Sequence, residues 1–260
     1  MTPFDGLRVG LTGGTSGLGL ALVRELRRRG ARVVFVARRH TEVERVARDH
    51  AGTHGIVGDV SKKDDTYPIA LQMLAELGGL DVLINNASDL GPEPLRLLAD
   101  TDCEDLERAL ATNLVGPFRL TKALLGALSA SARDARGAVV VNISSDAAVN
   151  AYPTWGAYGV SKAALRHMSA IWNEELAAEG IRVLSIDPGD MDTPLHARAV
   201  PDADPATLKK PETAALEVLD AIEAALKVRS PERLALLPPP QGRERTPSTE
   251  REPFRRASLS

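Results

Sequence analysis

The stretch that decides the fold is Leu11-Thr12-Gly13-Gly14-Thr15-Ser16-Gly17-Leu18-Gly19, which joins an apolar run to a helical pattern. Glycines in such a loop allow a tight turn and let backbone N–H groups approach a pyrophosphate at the positive end of the next helix. A glycine-rich loop alone is weak evidence, but its place between a strand and a helix strengthens it. No Gly-Lys-Ser/Thr follows, so the mononucleotide P-loop is excluded. The segment therefore predicts a dinucleotide site after the first strand.

Short apolar runs alternate with long helical patterns through the rest of the chain, which is typical of βαβ units around a parallel sheet. Val139-Val140-Val141 lacks polar alternation, so this strand is expected to be buried on both faces. The predicted strands are Leu7–Leu11, Arg32–Val36, Gly55–Val57, Leu80–Ile84, Ala138–Ile143, Arg182–Ile186 and, with a weaker pattern, Arg233–Leu237. The predicted helices are Leu18–Arg29, Thr41–Asp49, Thr66–Leu77, Asp102–Ala130, Ala157–Glu179 and Glu212–Lys227. We expect one α/β domain with a doubly wound parallel sheet of about seven strands and helices on both faces.

Composition limits the class of protein. The 260 residues are 43% hydrophobic and 26% charged, with a formal net charge of −3, which does not favour nucleic acid or an anionic membrane as partner. The single cysteine excludes an internal disulfide, and the five histidines form no pattern typical of a metal site. No signal peptide or run of about 18 apolar residues is visible, so we expect a cytoplasmic protein. We predict a domain over 1–237, with a substrate loop at about 194–210, and a polar, flexible tail over 238–260.

The end of the second predicted strand reads Ala37-Arg38-Arg39. An acid at this point accepts hydrogen bonds from the ribose 2′-hydroxyl of NAD, whereas arginine suits the 2′-phosphate of NADP. The chain has no acid there. We expect NADP(H) to be preferred, with NAD(H) as the alternative cofactor; the other interpretation is a pair of solvated arginines.

The spacing Thr-Gly-x-x-x-Gly-x-Gly resembles that of the short-chain dehydrogenase/reductase family, which has the Rossmann fold. Further motifs agree in order: Asp59-Val60, where the family contacts adenine; Asn85-Asn86-Ala87, beside the cofactor; and Pro188-Gly189 with Thr193, the family's nicotinamide loop. One departure is Ser88, which stands where the family usually has glycine. The cofactor-binding residues implied by motif and resemblance are Gly13, Thr15, Ser16, Gly17, Leu18, Gly19, Arg38, Arg39, Asp59, Val60, Asn86, Ala87, Tyr158, Lys162, Pro188, Gly189 and Thr193.

The resemblance also implies a catalytic tetrad of Asn113, Ser145, Tyr158 and Lys162. Tyr158 and Lys162 are four apart in a helical pattern and so share one face. Ser145 lies at the family's spacing before Tyr158, with Ser144 as the alternative. Hydride transfer to a carbonyl needs a proton donor, and we expect the Lys162 ammonium to lower the Tyr158 pKa for this task.

Asn113 and Pro117 carry a further expectation. Proline has no N–H, so the carbonyl of Asn113 loses its usual helical donor and becomes available to a water. This matches the backbone role of the family's asparagine in a proton relay, although an ordinary proline kink has the same geometry.

Together these patterns predict an NADP(H)-dependent oxidoreductase that transfers hydride between nicotinamide and a carbonyl or alcohol, with Tyr158 as general acid/base. The alternative is a non-catalytic NAD(P) sensor or a partner-binding protein on the same fold. The expected partners are a small-molecule substrate and further copies of the chain, in a homodimer or homotetramer.

Overall fold

The computed structural model describes residues 3–134 and 136–227, which belong to one compact unit. Their sheet has six parallel strands in the order β3-β2-β1-β4-β5-β6. The strands are β1 Arg8–Thr12, β2 Arg32–Ala37, β3 Thr53–Val57, β4 Val82–Asn85, β5 Ala138–Ile143 and β6 Ile181–Ile186. The strand order turns back between β1 and β4, which opens a crevice beyond their carboxyl ends. The doubly wound sheet is confirmed, while the predicted strand Arg233–Leu237 lies outside the described residues.

Helices cover both faces of the sheet. They are α1 Gly17–Arg28, α2 His40–Asp49, α3 Lys63–Leu77, α4 Cys103–Leu110, α5 Gly116–Arg133, α6 Gly156–Leu176, α7 Pro194–Ala199 and α8 Pro211–Lys227. Alternate residues of β2 point to opposite faces, so Val33 and Phe35 join the core under α1, α2 and α8. Val34 and Val36 join the core under α3, α5 and α6. Within the described residues, no helix is long and apolar enough to cross a membrane.

The predicted helix Asp102–Ala130 is helical in most of its length but is not one continuous α-helix. A π-helical turn, Ala111–Val115, separates α4 from α5. The Gly116 N–H donates to Ala111 O, and Pro117 has no N–H to offer. The carbonyl of Asn113 therefore lacks its α-helical donor, which agrees with the effect expected of Pro117.

A buried ionic network joins the amino ends of β1 and β4. Arg8 binds the carboxylate of Asp81 through Nε at 3.0 Å and Nη2 at 2.6 Å, and its backbone N–H adds a bond of 2.8 Å. Ser131 of α5 donates to the same carboxylate. Burial raises the pKa of Asp81, but hydrogen bonds from Arg8 and Ser131 outweigh this, so the pKa lies below its usual value.

Candidate active site

The carboxyl ends of the strands open into a cavity of about 830 Å³. Its wall runs from the glycine loop after β1 to Tyr158 on α6. The structure brings all the residues predicted to bind the cofactor to this wall, together with Ser145. Asn113 is fully buried and is absent from the cavity's lining.

The glycine loop leaves no room for side chains at two positions. Gly13 has φ of +75°, a conformation that other residues rarely adopt. A Cβ on Gly19 would lie 2.0 Å from the Gly13 oxygen, so only glycine lets the start of α1 pack on the loop. The first turn of α1 therefore borders the cavity with its N-terminal N–H groups, an arrangement suited to a pyrophosphate.

Thr12 connects this loop to the end of β4, a role that the sequence analysis missed. Its Oγ1 accepts hydrogen bonds from the backbone N–H groups of Asn86 at 3.0 Å and Ala87 at 3.1 Å. The Asn86 side chain donates back to the oxygens of Thr12 and Gly13. Thr12 lies inside the glycine motif, but the motif alone does not show what its hydroxyl binds.

One end of the cavity, where the sequence analysis expects the adenosine of the cofactor, is formed by the ends of β2 and β3. Arg38 and Arg39 are exposed, line the cavity and take part in no ion pair within the described part of the chain. Asp59 is fixed in orientation, because its Oδ1 accepts from the N–H and hydroxyl of Ser61 at 3.0 and 2.7 Å. Its own N–H donates to Asp65 at 2.8 Å.

The opposite end of the cavity holds Tyr158, Lys162 and Ser145. Tyr158 is 7% exposed and Lys162 2%, and Lys162 Nζ lies 5.4 Å from the centre of the Tyr158 ring. Lys162 donates to Ile143 O at 2.8 Å, which ties α6 to the end of β5. Ser145 Oγ donates to Asp146 Oδ1 at 3.1 Å and accepts from Ala147 N at 3.2 Å. Ser144 also lines the cavity, and its buried hydroxyl has no hydrogen-bond partner among the described residues.

The titration of this pair differs from the sequence-based expectation. Burial raises the pKa of Tyr158 to about 12, although hydrogen bonding with Ser88 and Ser145 opposes the rise. Burial also lowers the pKa of Lys162 to about 7. Because desolvation disfavours the charged form, the pKa of Tyr158 in the free protein lies above its usual value, and not below it as the sequence analysis expects. Tyr158 is held there as the neutral phenol.

Asn113 supports the site from behind the cavity wall. Its Oδ1 accepts from Asp89 N at 2.8 Å and from Ser88 Oγ at 3.2 Å. Its Nδ2 donates to Asp89 O at 2.7 Å and Ser161 Oγ at 2.8 Å. Ser161 in turn donates to the backbone oxygen of Tyr158 at 2.6 Å. The side chain of Asn113 thus joins the segment after β4 to the helix that carries Tyr158.

The loop after β6 is held through Thr193 on one side and through Lys209 on the other. Thr193 caps α7 by accepting from His196 N, and a Cβ on Gly17 would lie 3.1 Å from its methyl group. Lys209 donates to the carbonyl of Pro188 at 3.0 Å and pairs with Glu217 at 2.7 Å. Pro188 and Gly189 are therefore anchored from α8, a tether that no motif in the sequence indicates.

The part of the cavity beyond Tyr158, which we call the substrate end, contains two polar side-chain pairs. Glu93 and Arg198 form an ion pair of 2.9 Å, and Tyr152 donates to Asp146 at 2.7 Å. Trp155 packs edge-on against Tyr158 with ring centres 5.7 Å apart. The described residues contain no group of three or more His, Cys, Asp or Glu side chains that could hold a metal ion.

The fold and cavity define a class, a dinucleotide-binding α/β protein with a tyrosine and a lysine at the far end of its cofactor crevice. Comparison with known proteins gives the family. The sequence model of the short chain dehydrogenase family matches residues 8–204. The chain belongs to this family.

Individual relatives show how far the likeness extends. An uncharacterised short-chain type dehydrogenase/reductase of Sinorhizobium fredii is 34% identical over 188 residues, which are 72% of this chain but only 33% of that protein. The L-fucose dehydrogenase of Mus musculus is 31% identical over 195 residues, 75% of this chain and 69% of the mouse protein. The crystal structure of a 3-ketoacyl-(acyl-carrier-protein) reductase from Brucella melitensis, complexed with NADH, has a TM-score of 0.77 and 27% identity, and covers 88% of this chain and 93% of that one.

Proposed function

We propose that the chain transfers hydride between NADP(H) and the carbonyl or alcohol carbon of a small-molecule substrate, with Tyr158 as general acid/base. The observation that carries this proposal is that Tyr158, Ser145 and Lys162 line one cavity together with the glycine loop. A nicotinamide cofactor supplies the hydride in reduction and accepts it in oxidation. The protein has to position the substrate oxygen and move its proton.

Tyr158 is suited to give the proton in reduction. A substrate oxygen that gains negative charge as hydride arrives needs an O–H donor close by, and the phenol is protonated at neutral pH because its pKa is about 12. Ser145 would orient the same oxygen. Its proton points to Asp146 in the free protein, so the hydroxyl has to turn towards the substrate.

Lys162 would bind the nicotinamide ribose and stabilise the tyrosinate that remains after proton transfer. Its Nζ is already fixed by the Ile143 carbonyl, and in the ammonium form two further N–H donors remain. The carbonyl of Asn113, which Pro117 deprives of its usual donor, would hold the water that returns the proton to Lys162.

The preference for NADP(H) rests on Arg38 and Arg39. Both line the adenosine end of the cavity, and Ala37 offers no carboxylate to repel a 2′-phosphate. A guanidinium bound to a phosphate through two charge-assisted hydrogen bonds contributes about 1.5–3 kcal/mol, or roughly ten- to a hundredfold in affinity.

The catalytic role is tested with Tyr158→Phe. Turnover of a panel of aldehydes, ketones, sugars and secondary alcohols, with NADPH and NADP⁺, is measured for both forms. We expect the variant to lose at least about a hundredfold in kcat, since only the acid is removed, and to bind NADPH within a few fold of the wild type.

Tyr67→Phe is the matched control, because Tyr67 is 71% exposed on α3 and does not line the cavity. It should keep wild-type turnover. A Tyr158→Phe protein with more than about a tenth of wild-type activity would show that another group moves the proton.

The cofactor preference is tested by fluorescence titration with NADPH and NADH. NADPH should bind at least about tenfold more tightly, and Ala37→Asp combined with Arg38→Leu should reverse the order. Arg48→Leu, which removes an exposed arginine of α2 outside the cavity, should change neither affinity. Equal affinities in the wild type would mean that Arg38 and Arg39 are only solvated.

The alternative of a non-catalytic sensor or partner-binding protein has no observation of its own in the described residues. It predicts no turnover of any panel member by the wild type, together with normal nucleotide binding. The same screen therefore separates the two hypotheses.

A further inference from the structure

Lys209 joins the loop after β6 to α8. Its Nζ donates to the Pro188 carbonyl at 3.0 Å and pairs with Glu217 of α8 at 2.7 Å. Its backbone N–H donates to Asp190 O at 2.9 Å, and its carbonyl accepts from Asp192 N at 3.0 Å. The proposed function gives no task to this residue, although it contacts the loop through its side chain and through both of its backbone groups.

The strand order places this loop on the side of the cavity opposite to the ends of β2 and β3. The glycine loop after β1 lies between the two sides, and Thr193 reaches it, since a Cβ on Gly17 would lie 3.1 Å from the Thr193 methyl group. A dinucleotide with its adenosine at β2 and β3 and its pyrophosphate at the glycine loop extends its nicotinamide half towards β6. Lys209 therefore anchors the wall that borders this half.

The contact of Lys209 with Pro188 fixes the direction of one peptide group. The carbonyl and the N–H of a trans peptide point in opposite directions, so the Gly189 N–H points away from Lys209, and it donates to Asp187 Oδ1 at 2.9 Å. Residues 187–189 line the cavity, whereas Lys209 does not. The Pro188 carbonyl is therefore turned out of the cavity, and the N–H lies on its inner side.

Gly189 gives this peptide a second accessible orientation. Its φ is +77°, and glycine adopts φ of either sign at similar cost. Rotation of the peptide would turn the Pro188 carbonyl oxygen, which has a partial negative charge, into the cavity. The bond from Lys209 opposes this rotation, and α8 is a fixed support for Lys209 because Val218 and Leu219 are fully buried in the core.

We propose that Lys209 is a positioning residue for the nicotinamide half of the cofactor: it keeps the Pro188–Gly189 peptide with its N–H, and not its carbonyl, towards the cavity. An acceptor oxygen of the cofactor then meets a hydrogen-bond donor and not a second oxygen. In the free protein the Asp187 carboxylate occupies this donor. The inference rests on the nicotinamide cofactor of the proposed function, but it does not depend on Tyr158 as general acid/base.

The test compares Lys209→Met with Lys209→Arg, which keeps a donor of similar reach. Two ligands are titrated: NADPH, and adenosine 2′,5′-bisphosphate, which has the phosphorylated adenosine end of NADPH but no nicotinamide. The emission maximum of bound NADPH, which comes from the nicotinamide ring, is recorded as well. Lys227→Met is the matched control, because Lys227 is 68% exposed on α8 and pairs with Glu223 of the same helix.

We expect Lys209→Met to weaken binding of NADPH by about tenfold, because the charged donor that holds the peptide is lost. Its affinity for adenosine 2′,5′-bisphosphate should stay equal to that of the wild type. The emission maximum of bound NADPH should move towards that of the free cofactor. Lys209→Arg and Lys227→Met should keep the wild-type affinity for both ligands and the wild-type emission.

Gly189→Ala acts on the same peptide by a different route. Alanine rarely adopts a φ of +77°, so the substitution favours the rotated peptide even while Lys209 is present. It should weaken binding of NADPH and not of adenosine 2′,5′-bisphosphate. In the double variant the two losses should not add, since both changes release one peptide. Gly189→Ala provides the result if Lys209→Met fails to fold.

An equal loss for both ligands in Lys209→Met would overturn this inference, because it would show a general effect on the fold. Wild-type affinity for NADPH in both Lys209→Met and Gly189→Ala would overturn it as well. The proposed function fails differently. If Tyr158→Phe stays active, the proposed proton transfer is wrong; if it is inactive while Lys209→Met binds both ligands as the wild type does, only the role of Lys209 is wrong.

Discussion

Asp81 shows how a single residue far from the active site contributes to the stability of the fold. Its carboxylate is fully buried at the amino end of β4 and is satisfied by Arg8 and Ser131. A buried ion pair contributes little net stability over apolar residues, but removal of one partner leaves the other charge uncompensated. Asp81→Asn should therefore lower the free energy of unfolding by about 3 kcal/mol at pH 7.

The same network gives stability a pH dependence of known sign. The pKa of Asp81 is lowered on folding, so its contribution is present above the unfolded pKa of about 3.9 and is lost as the pH falls through the folded value. Urea unfolding at pH 7 and below pH 4 measures both effects. Asp49→Asn is the control, since Asp49 is exposed and forms its ion pair of 3.6 Å with Arg45, which is also exposed. Equal losses in the two variants would contradict the role of Asp81.

Residue types could be predicted at the active site, but their partners and their titration could not. Tyr158 and Lys162 share a helix face because they are four residues apart, and this follows from the sequence alone. Their degree of burial depends on β5, α6 and the segment after β4 together. For this reason the dominant effect of desolvation on the pKa of both groups could not be predicted from the sequence.

At the scale of elements, the hydrophobic period and the positions of glycines correctly predict the regular strands and the turn before α1. The strands of the sheet and the turn into α1 fall where the sequence places them, within a few residues. The helix around Asn113 differs, since both α- and π-helical turns satisfy the same apolar pattern. Pro117 predicts a disturbed hydrogen bond, but the insertion of a π-turn depends on contacts such as the approach of Gly116 to the Val60 carbonyl.

The segment 194–210 illustrates what a motif cannot predict. The sequence analysis predicts a substrate loop here, whereas the structure forms α7 and a short bridge between Met191 and Lys209. That bridge and the Lys209 contact to Pro188 come from residues about twenty positions apart with no regular spacing. Only the folded chain brings them together.

At the scale of the whole molecule, α5 and α6 leave apolar side chains uncovered. Val160 and Ile171 on α6 are 50% and 46% exposed and share a helix face, since eleven residues make about three turns. Phe118 of α5 is 40% exposed and stacks on Trp172 of α6. We propose that a second copy of the chain covers this surface in a homodimer or a dimer of dimers.

Light scattering at micromolar concentration should then report a dimer or tetramer for the wild type. Ile171→Glu should weaken association by at least about tenfold, because it brings a charge into an apolar interface on each copy. Leu71→Glu is matched in chemistry and lies on α3, where Leu71 is 68% exposed, so it should leave the mass unchanged. A wild-type protein that is monomeric and fully active would contradict the proposed assembly.

The carboxyl and amino ends of the sheet have separate tasks, and this separation matters for protein engineering. The residues assigned to cofactor and substrate leave from the carboxyl ends of the strands, while the network of Arg8, Asp81 and Ser131 ties the amino ends. The five residues of β1, roughly 17 Å of extended chain, lie between them. A library that randomises positions 194–208, and so keeps the contact of Lys209 with Pro188, would consequently search for new specificities without changing the residues that tie the amino ends of the strands.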